Sequence, residues 1–188
     1  MSMSMSIYGL YPNQEIKEIE YFKSGTGATA LKLWLHLEEK YLPIYERNGI
    51  KSTRLAYFNP GKSPCNEIWD LVEDERLAPE ERILMGLTFD YVFVKREDIP
   101  FICKILSSDF ANEGMHRLVS HLEQALQNNP EVEAFAIMWQ TVNDYYGCGY
   151  DENDEEIYPI WNPDKNWFLF DDEILKKCKE TIEDDNYS

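Results

Sequence analysis

Residues 86–106 read GLTFDYVFVKREDIPFICKIL, and they constrain the fold more than any other stretch of the chain. Leu87, Phe89, Tyr91 and Phe93 alternate with Thr88, Asp90, Val92 and Val94, which is the period of a strand. Val92 and Val94 make the second face apolar too, so a strand over 87–95 is expected to be covered on both sides and central in its sheet. Lys95, Arg96 and Glu97 end the apolar run. Asp98 then stands as a candidate N-cap, with Pro100 in the first turn and Ile99, Ile102, Cys103 and Leu106 at helical spacing. A strand feeding a helix through a short charged turn demands a core of mixed secondary structure. It carries no catalytic signature.

The flanking chain supports the same class. Ser6–Tyr11 can form a short strand ended by Pro12, and Asn13 can cap a short helix through Ile16, Ile19 and Phe22, with an extended 18–22 as the alternative. Ala28–Leu42 reads as a helix with Leu31, Trp34, Leu35 and Leu42 on its apolar face, Leu33 and Leu37 flanking it, and Glu38, Glu39 and Lys40 outside. Thr53–Phe58 is a strand candidate, Ser63-Pro64 opens a helix through Ile68, Leu71 and Val72, and Pro79 opens another. Asn112 is placed to cap a helix with a stripe of Met115, Leu118, Val119, Leu122, Ala125 and Leu126. A second strand is expected over 132–142, and a terminal helix over 171–182 capped by Asp171 or Asp172. The expectation is one α+β or mixed α/β domain over 1–188: a small mixed sheet packed by five or six helices, with 1–5 disordered and 184–188 frayed.

The formal charge is −17, and it is uneven. Residues 144–188 carry 14 carboxylates and 4 lysines, whereas the preceding part carries 21 acidic and 14 basic residues. Such a charge repels phosphate backbones and anionic membranes, which argues against direct nucleic-acid or membrane binding and for a basic partner. No apolar run approaches the roughly 18 residues of a membrane span. MSMSMS has neither the basic nor the apolar region of a signal peptide. Cys65, Cys103, Cys148 and Cys178 form no C-x-x-C pair and are expected as reduced thiols of a cytoplasmic protein.

Motifs for chemistry fail on context. Residues 25–30, GTGATA, match the dinucleotide pattern G-x-G-x-x-A, so Gly25 and Gly27 are candidate cofactor-binding residues for a small-molecule or nucleotide-handling enzyme. The segment before them is charged and amphipathic, however, and no second strand delivers an acid about 20 residues on. Glu113 and His116 have the i, i+3 spacing of a metal pair without a second such pair, and His121 lies about 140° around the helix from His116. A calcium loop counted from Asp151 puts Glu156 where glycine is required and Asn162 where a bidentate Glu is required. Cys148 sits in an acidic, aromatic neighbourhood that opposes thiolate formation. No catalytic residue, cofactor or metal is assigned on these grounds.

What remains is Tyr150, Asp151, Glu152, Asp154, Glu155, Glu156, Trp161 and Trp167, aromatic rings set among carboxylates. Aromatic anchors ringed by charge are the material of a protein-binding patch. They can equally fold the loop onto the sheet. The expected function is an acidic, cytoplasmic interaction protein that binds and inhibits a basic protein in the manner of an immunity factor or decoy.

Overall fold

The computed structural model describes residues 4–23, 29–42, 45–47, 50–52, 71–88, 92–138, 149–150, 153, 156–157, 161, 163–164 and 166–185. In chain order the elements are β1 (Ser4–Leu10), β2 (Ile16–Lys23), α1 (Thr29–Tyr41), β3 (Tyr45–Arg47), β4 (Ile50–Ser52), α2 (Pro79–Leu87), β5 (Val92–Lys95), α3 (Ile99–Leu106), α4 (Glu113–Asn128), β6 (Ala134–Met138), β7 (Gly149–Tyr150), β8 (Glu156–Ile157), β9 (Trp167–Phe168) and α5 (Glu173–Asp185). Short 3-10 turns cover Leu71–Glu73, Arg96–Asp98 and Leu169–Asp172. The fold is α+β. Its main sheet runs β2-β1-β6-β5-β9, antiparallel except for β5 against β9, and β3–β4 and β7–β8 form separate ladders. No helix among the described residues is long and apolar enough to cross a membrane.

The central strand is β6, not β5. All five of its side chains are buried, and they are sized to fit their neighbours. Ala136 stands between Tyr8 and Phe93 on one face, so a small side chain separates two rings. On the other face Phe135 stands between Gly9 and Val94. A Cβ on Gly9 would lie 2.6 Å from Ile19 and 3.0 Å from Val132, so this glycine makes the close packing possible. The Phe135 face joins Met5, Ile7, Val92 and Val94 to the apolar sides of α2, α3 and α4 in the large core, which contains Ile102 and Leu118 as expected. The opposite face gathers Tyr8, Leu10, Ile16, Phe93, Ala134, Ala136 and Met138.

Several expectations are corrected. The stretch 87–95 is not all strand: Leu87 is the last residue of α2, and Thr88 closes that helix, its hydroxyl donating to Met85 O at 2.6 Å. The Glu81 carboxylate accepts from the otherwise unpaired Ala78 N–H and starts a helix that continues through Ile83, Leu84 and Met85, and local helix propagation overrides the alternation at Leu87. The helix foreseen after Asn13 is strand β2. Asn13 Oδ1 does accept from a backbone N–H, that of Glu15 at 3.2 Å, but within the β1–β2 turn. The i, i+3 spacing of Ile16, Ile19 and Phe22 comes from a bulge where Ile7 pairs with Glu20 and Tyr8 with Glu18; Ile16 faces one core and Ile19 and Phe22 the other.

α1 buries Ala30, Leu33, Leu37 and also Glu38, while Trp34 and Leu35 are half-buried, so its core stripe is rotated from the expected one. Trp34 Nε1 donates to Thr88 Oγ1 at 2.7 Å. Asp98 lies in the 3-10 turn and accepts from Lys179 rather than capping α3. Asn112 caps α4 as expected, accepting from Gly114 and Met115. At the N-terminus the strand begins at Ser4 and Met5 is buried, so the ordered chain starts inside the segment expected to be disordered. At the other end α5 continues to Asp185. Thr53–Phe58 and the start of the helix foreseen after Ser63 lie outside the described residues.

Candidate interaction surface

Tyr150 and Glu156 are paired opposite one another in the β7–β8 ladder, so the acidic run 151–155 connects two paired strand ends. Asp151, Glu152, Asp154 and Glu155 lie outside the described residues. The two tryptophans part company. Trp161 is half-buried against the second core: its ring meets Phe93 edge-on at 5.2 Å and Phe168 at 5.2 Å, and its backbone N–H donates to Gln14 O at 2.7 Å. It folds its segment onto the sheet. Trp167 on the outer strand β9 is 41% exposed. On β9 Trp167 and Phe168 are neighbours and their side chains leave by opposite faces, so the Phe168 ring meets Trp161 while Trp167 stays exposed.

Near Trp167 in the chain, Asp164, Asp171 and Glu173 are exposed, and Glu180 and Glu183 are exposed farther along α5. Lys176 and Lys177 of α5 are exposed, whereas two other cations are engaged. Lys95 pairs with Asp172 and lies 5.0 Å from the Phe168 ring, and the Asp172 hydrogen bond raises its pKa. Lys179 pairs with Asp98. The same holds across the molecule: Lys17 faces Glu15, Lys40 faces Glu81, Arg76 faces Asp74 and Arg117 faces Glu113. Arg82 and Arg96 donate to backbone carbonyls. Asp74 shows the strength of one such pair, its carboxyl held down to about 2 by the Arg76 guanidinium. Lys32, Lys104, Lys176 and Lys177 are exposed, so the outward field is mixed in sign and its net negative value comes from the excess of carboxylates.

Among the described residues the most deeply buried acid is Glu81. It receives Lys40 Nζ at 2.6 Å, Tyr41 OH at 2.5 Å and the Ala78 N–H at 3.2 Å. Burial alone would raise its pKa, but the hydrogen bonds from Lys40 and Tyr41 outweigh burial and lower it from the ordinary 4.5. The group ties the end of α1 to the start of α2. A depressed folded pKa contributes stability in full above the unfolded value, and that stability is lost as pH falls through the folded value. Glu81→Gln should therefore cost about 1–3 kcal/mol at neutral pH, and its deficit against the unmodified protein should shrink below about pH 4.5. Denaturant titrations at neutral and acid pH measure it; a deficit constant with pH would show that the charge is not what matters.

The alternative sites do not assemble. Gly25 and Gly27 lie outside the described residues, but the strand entering them does not: β2 is an outer strand, antiparallel to β1, where a dinucleotide fold needs an inner parallel strand. His116 Nε2 faces Ser108 O at 3.2 Å while Glu113 faces Arg117, so the i, i+3 pair does not converge. His121 stacks on Phe22 at 3.8 Å and meets Glu20 at 2.6 Å, joining α4 to β2. Among the described residues no three His, Cys, Asp or Glu side chains are grouped to hold a metal ion. Cys103 and Cys178 are free thiols, both buried; burial pushes Cys103 up to about 11 and raises Cys178 as well. Cys65 and Cys148 lie outside the described residues. Comparison with family models, curated proteins and solved structures finds no match to this chain.

Proposed function

We propose that the chain is an acidic, cytoplasmic interaction protein that binds a basic macromolecular partner and inhibits it by covering its surface. The observation that carries this reading is the charge of −17, with eight cationic side chains, Lys17, Lys40, Arg76, Arg82, Lys95, Arg96, Arg117 and Lys179, drawn to carboxylates or carbonyls of the same chain. What is left facing outward attracts positive charge. The exposed Trp167, in a segment that also carries the exposed Asp171 and Glu173, supplies an aromatic anchor, and the acidic run 151–156 supplies long-range attraction. Trp161, half-buried against Phe93 and Phe168, belongs to the fold instead.

The test separates encounter from residence. A partner is captured from native lysate, identified by mass, and its association and dissociation rates are measured against salt. Neutralising Asp151, Glu152, Asp154, Glu155 and Glu156 to the amides should slow association at low salt and leave thermal stability unchanged. Trp167→Ala should speed dissociation, at a cost of about 2 kcal/mol in affinity. Captured partners of ordinary or acidic charge, or association at low salt unaffected by the five amides, would overturn the reading.

A further inference from the structure

We propose that α5 is a releasable helix, held across a strained left-handed turn by two ion pairs, whose undocking uncovers Cys178. The turn joins β9 to α5. Phe170, Asp171 and Asp172 have φ of 49°, 54° and 63°, three consecutive non-glycine residues in the left-handed region. There each Cβ crowds the following carbonyl, and the crowding is worst for a bulky residue such as Phe170. Such a conformation persists only where its surroundings enforce it.

Those surroundings include α2, α5 and the end of β5. Phe170 seats its ring on Gly86 of α2 so closely that a Cβ there would lie 2.0 Å from it. α5 rests on α2 through Leu175, Cys178 and Ile182. Two ion pairs close the joint crosswise onto one short stretch of chain. Lys95 at the end of β5 holds Asp172 in the turn, and Asp98, three residues on, holds Lys179 of α5. Lys179 also lies 5.3 Å from the Phe101 ring. The lysines are part-exposed, so water can replace both contacts on opening. Undocking relaxes three backbone residues and breaks neither the β1–β6 nor the β5–β6 ladder. α5 therefore opens before the sheet does. The opened helix presents Leu175, Cys178 and Ile182 as an apolar stripe and frees Lys95 and Lys179.

Cys178 and Cys103 make the opening measurable in the unmodified chain. Both are buried in the same large core, Cys178 more deeply, but Cys178 is on α5 and Cys103 is on α3. Under native conditions, iodoacetamide followed by peptide mass analysis should modify Cys178 about tenfold or more faster than Cys103. Lys95→Met and Lys179→Met should each widen that ratio. Asp171→Gly, which relieves the left-handed backbone at an exposed position, should narrow it. Equal rates for the two thiols, moving together in every variant, would mean that Cys178 is exposed only by global unfolding and would overturn the proposal. A ratio unmoved by both lysine substitutions would remove the ion pairs from it.

Discussion

Phe93→Ala is expected to lower stability by about 3–5 kcal/mol. Phe93 is fully buried on the second face of the sheet, opposite Ala136, with Trp161 edge-on against it. Ala136 and Ala134 are too small to fill the space left by the ring, so the cavity persists. At about 2–4 °C per kcal/mol for a chain of this size, the thermal midpoint should fall by roughly 10 °C. Trp161→Ala should cost less, because that ring is only half-buried. The double variant should recover about 0.5–1.5 kcal/mol of coupling, the share belonging to the ring pair itself. An unchanged midpoint in Phe93→Ala would show that the second face is not a core.

Arg96→Met should cost about 2–3 kcal/mol. The last turn of α4 holds no basic residue, and Arg96 reaches it from beyond β5. Its guanidinium donates to Leu126 O at 2.6 Å, Asn129 O at 2.8 Å and Val132 O at 3.2 Å, and its backbone N–H donates to Glu133 O at 2.8 Å. One side chain thus closes the end of α4 and sets the entry to the central strand, while complementing the negative end of the helix dipole. Methionine keeps the length and leaves three carbonyls with whatever water can reach them. Arg96→Lys should restore only part of the loss, since an ammonium cannot span three acceptors as a planar fork does. Urea unfolding of the three proteins checks the order; a lysine variant as stable as arginine would refute the geometric part of the argument.

Arg96 also marks the limit of what could be read along the chain. It was legible as the end of an apolar run, and nothing in its neighbours announced three carbonyls 30 to 36 residues away. The same holds for Lys95 with Asp172 and Lys179 with Asp98, pairs 77 and 81 residues apart. Of the candidate patch, the sequence marked the acidic run and both tryptophans, but it could not tell Trp161 on Phe93 from Trp167 in solvent. That depends on how the segment carrying Trp161 is folded back onto Phe93 and on which face of β9 Trp167 leaves.

The sequence by itself determined the elements whose signals are local. Asn112 with the stripe behind it made α4, Pro79 with Glu80 and Glu81 made the start of α2, and the apolar Val92–Val94 made a strand buried on both faces. Capping, helical spacing and apolar runs act within a few residues, so they survive in one dimension. Tertiary structure decided the rest. It made β6 rather than β5 the centre of the sheet, because Ala136 and Phe135 fit between the side chains of β1 and β5. It turned Ile16, Ile19 and Phe22 from an apparent helix into a bulged strand, because β1 pairs with them. It also placed the cations against carboxylates and carbonyls remote in the chain. Strand order, register and ion pairing are contacts between distant segments, and their energies exist only once the chain has brought those segments together.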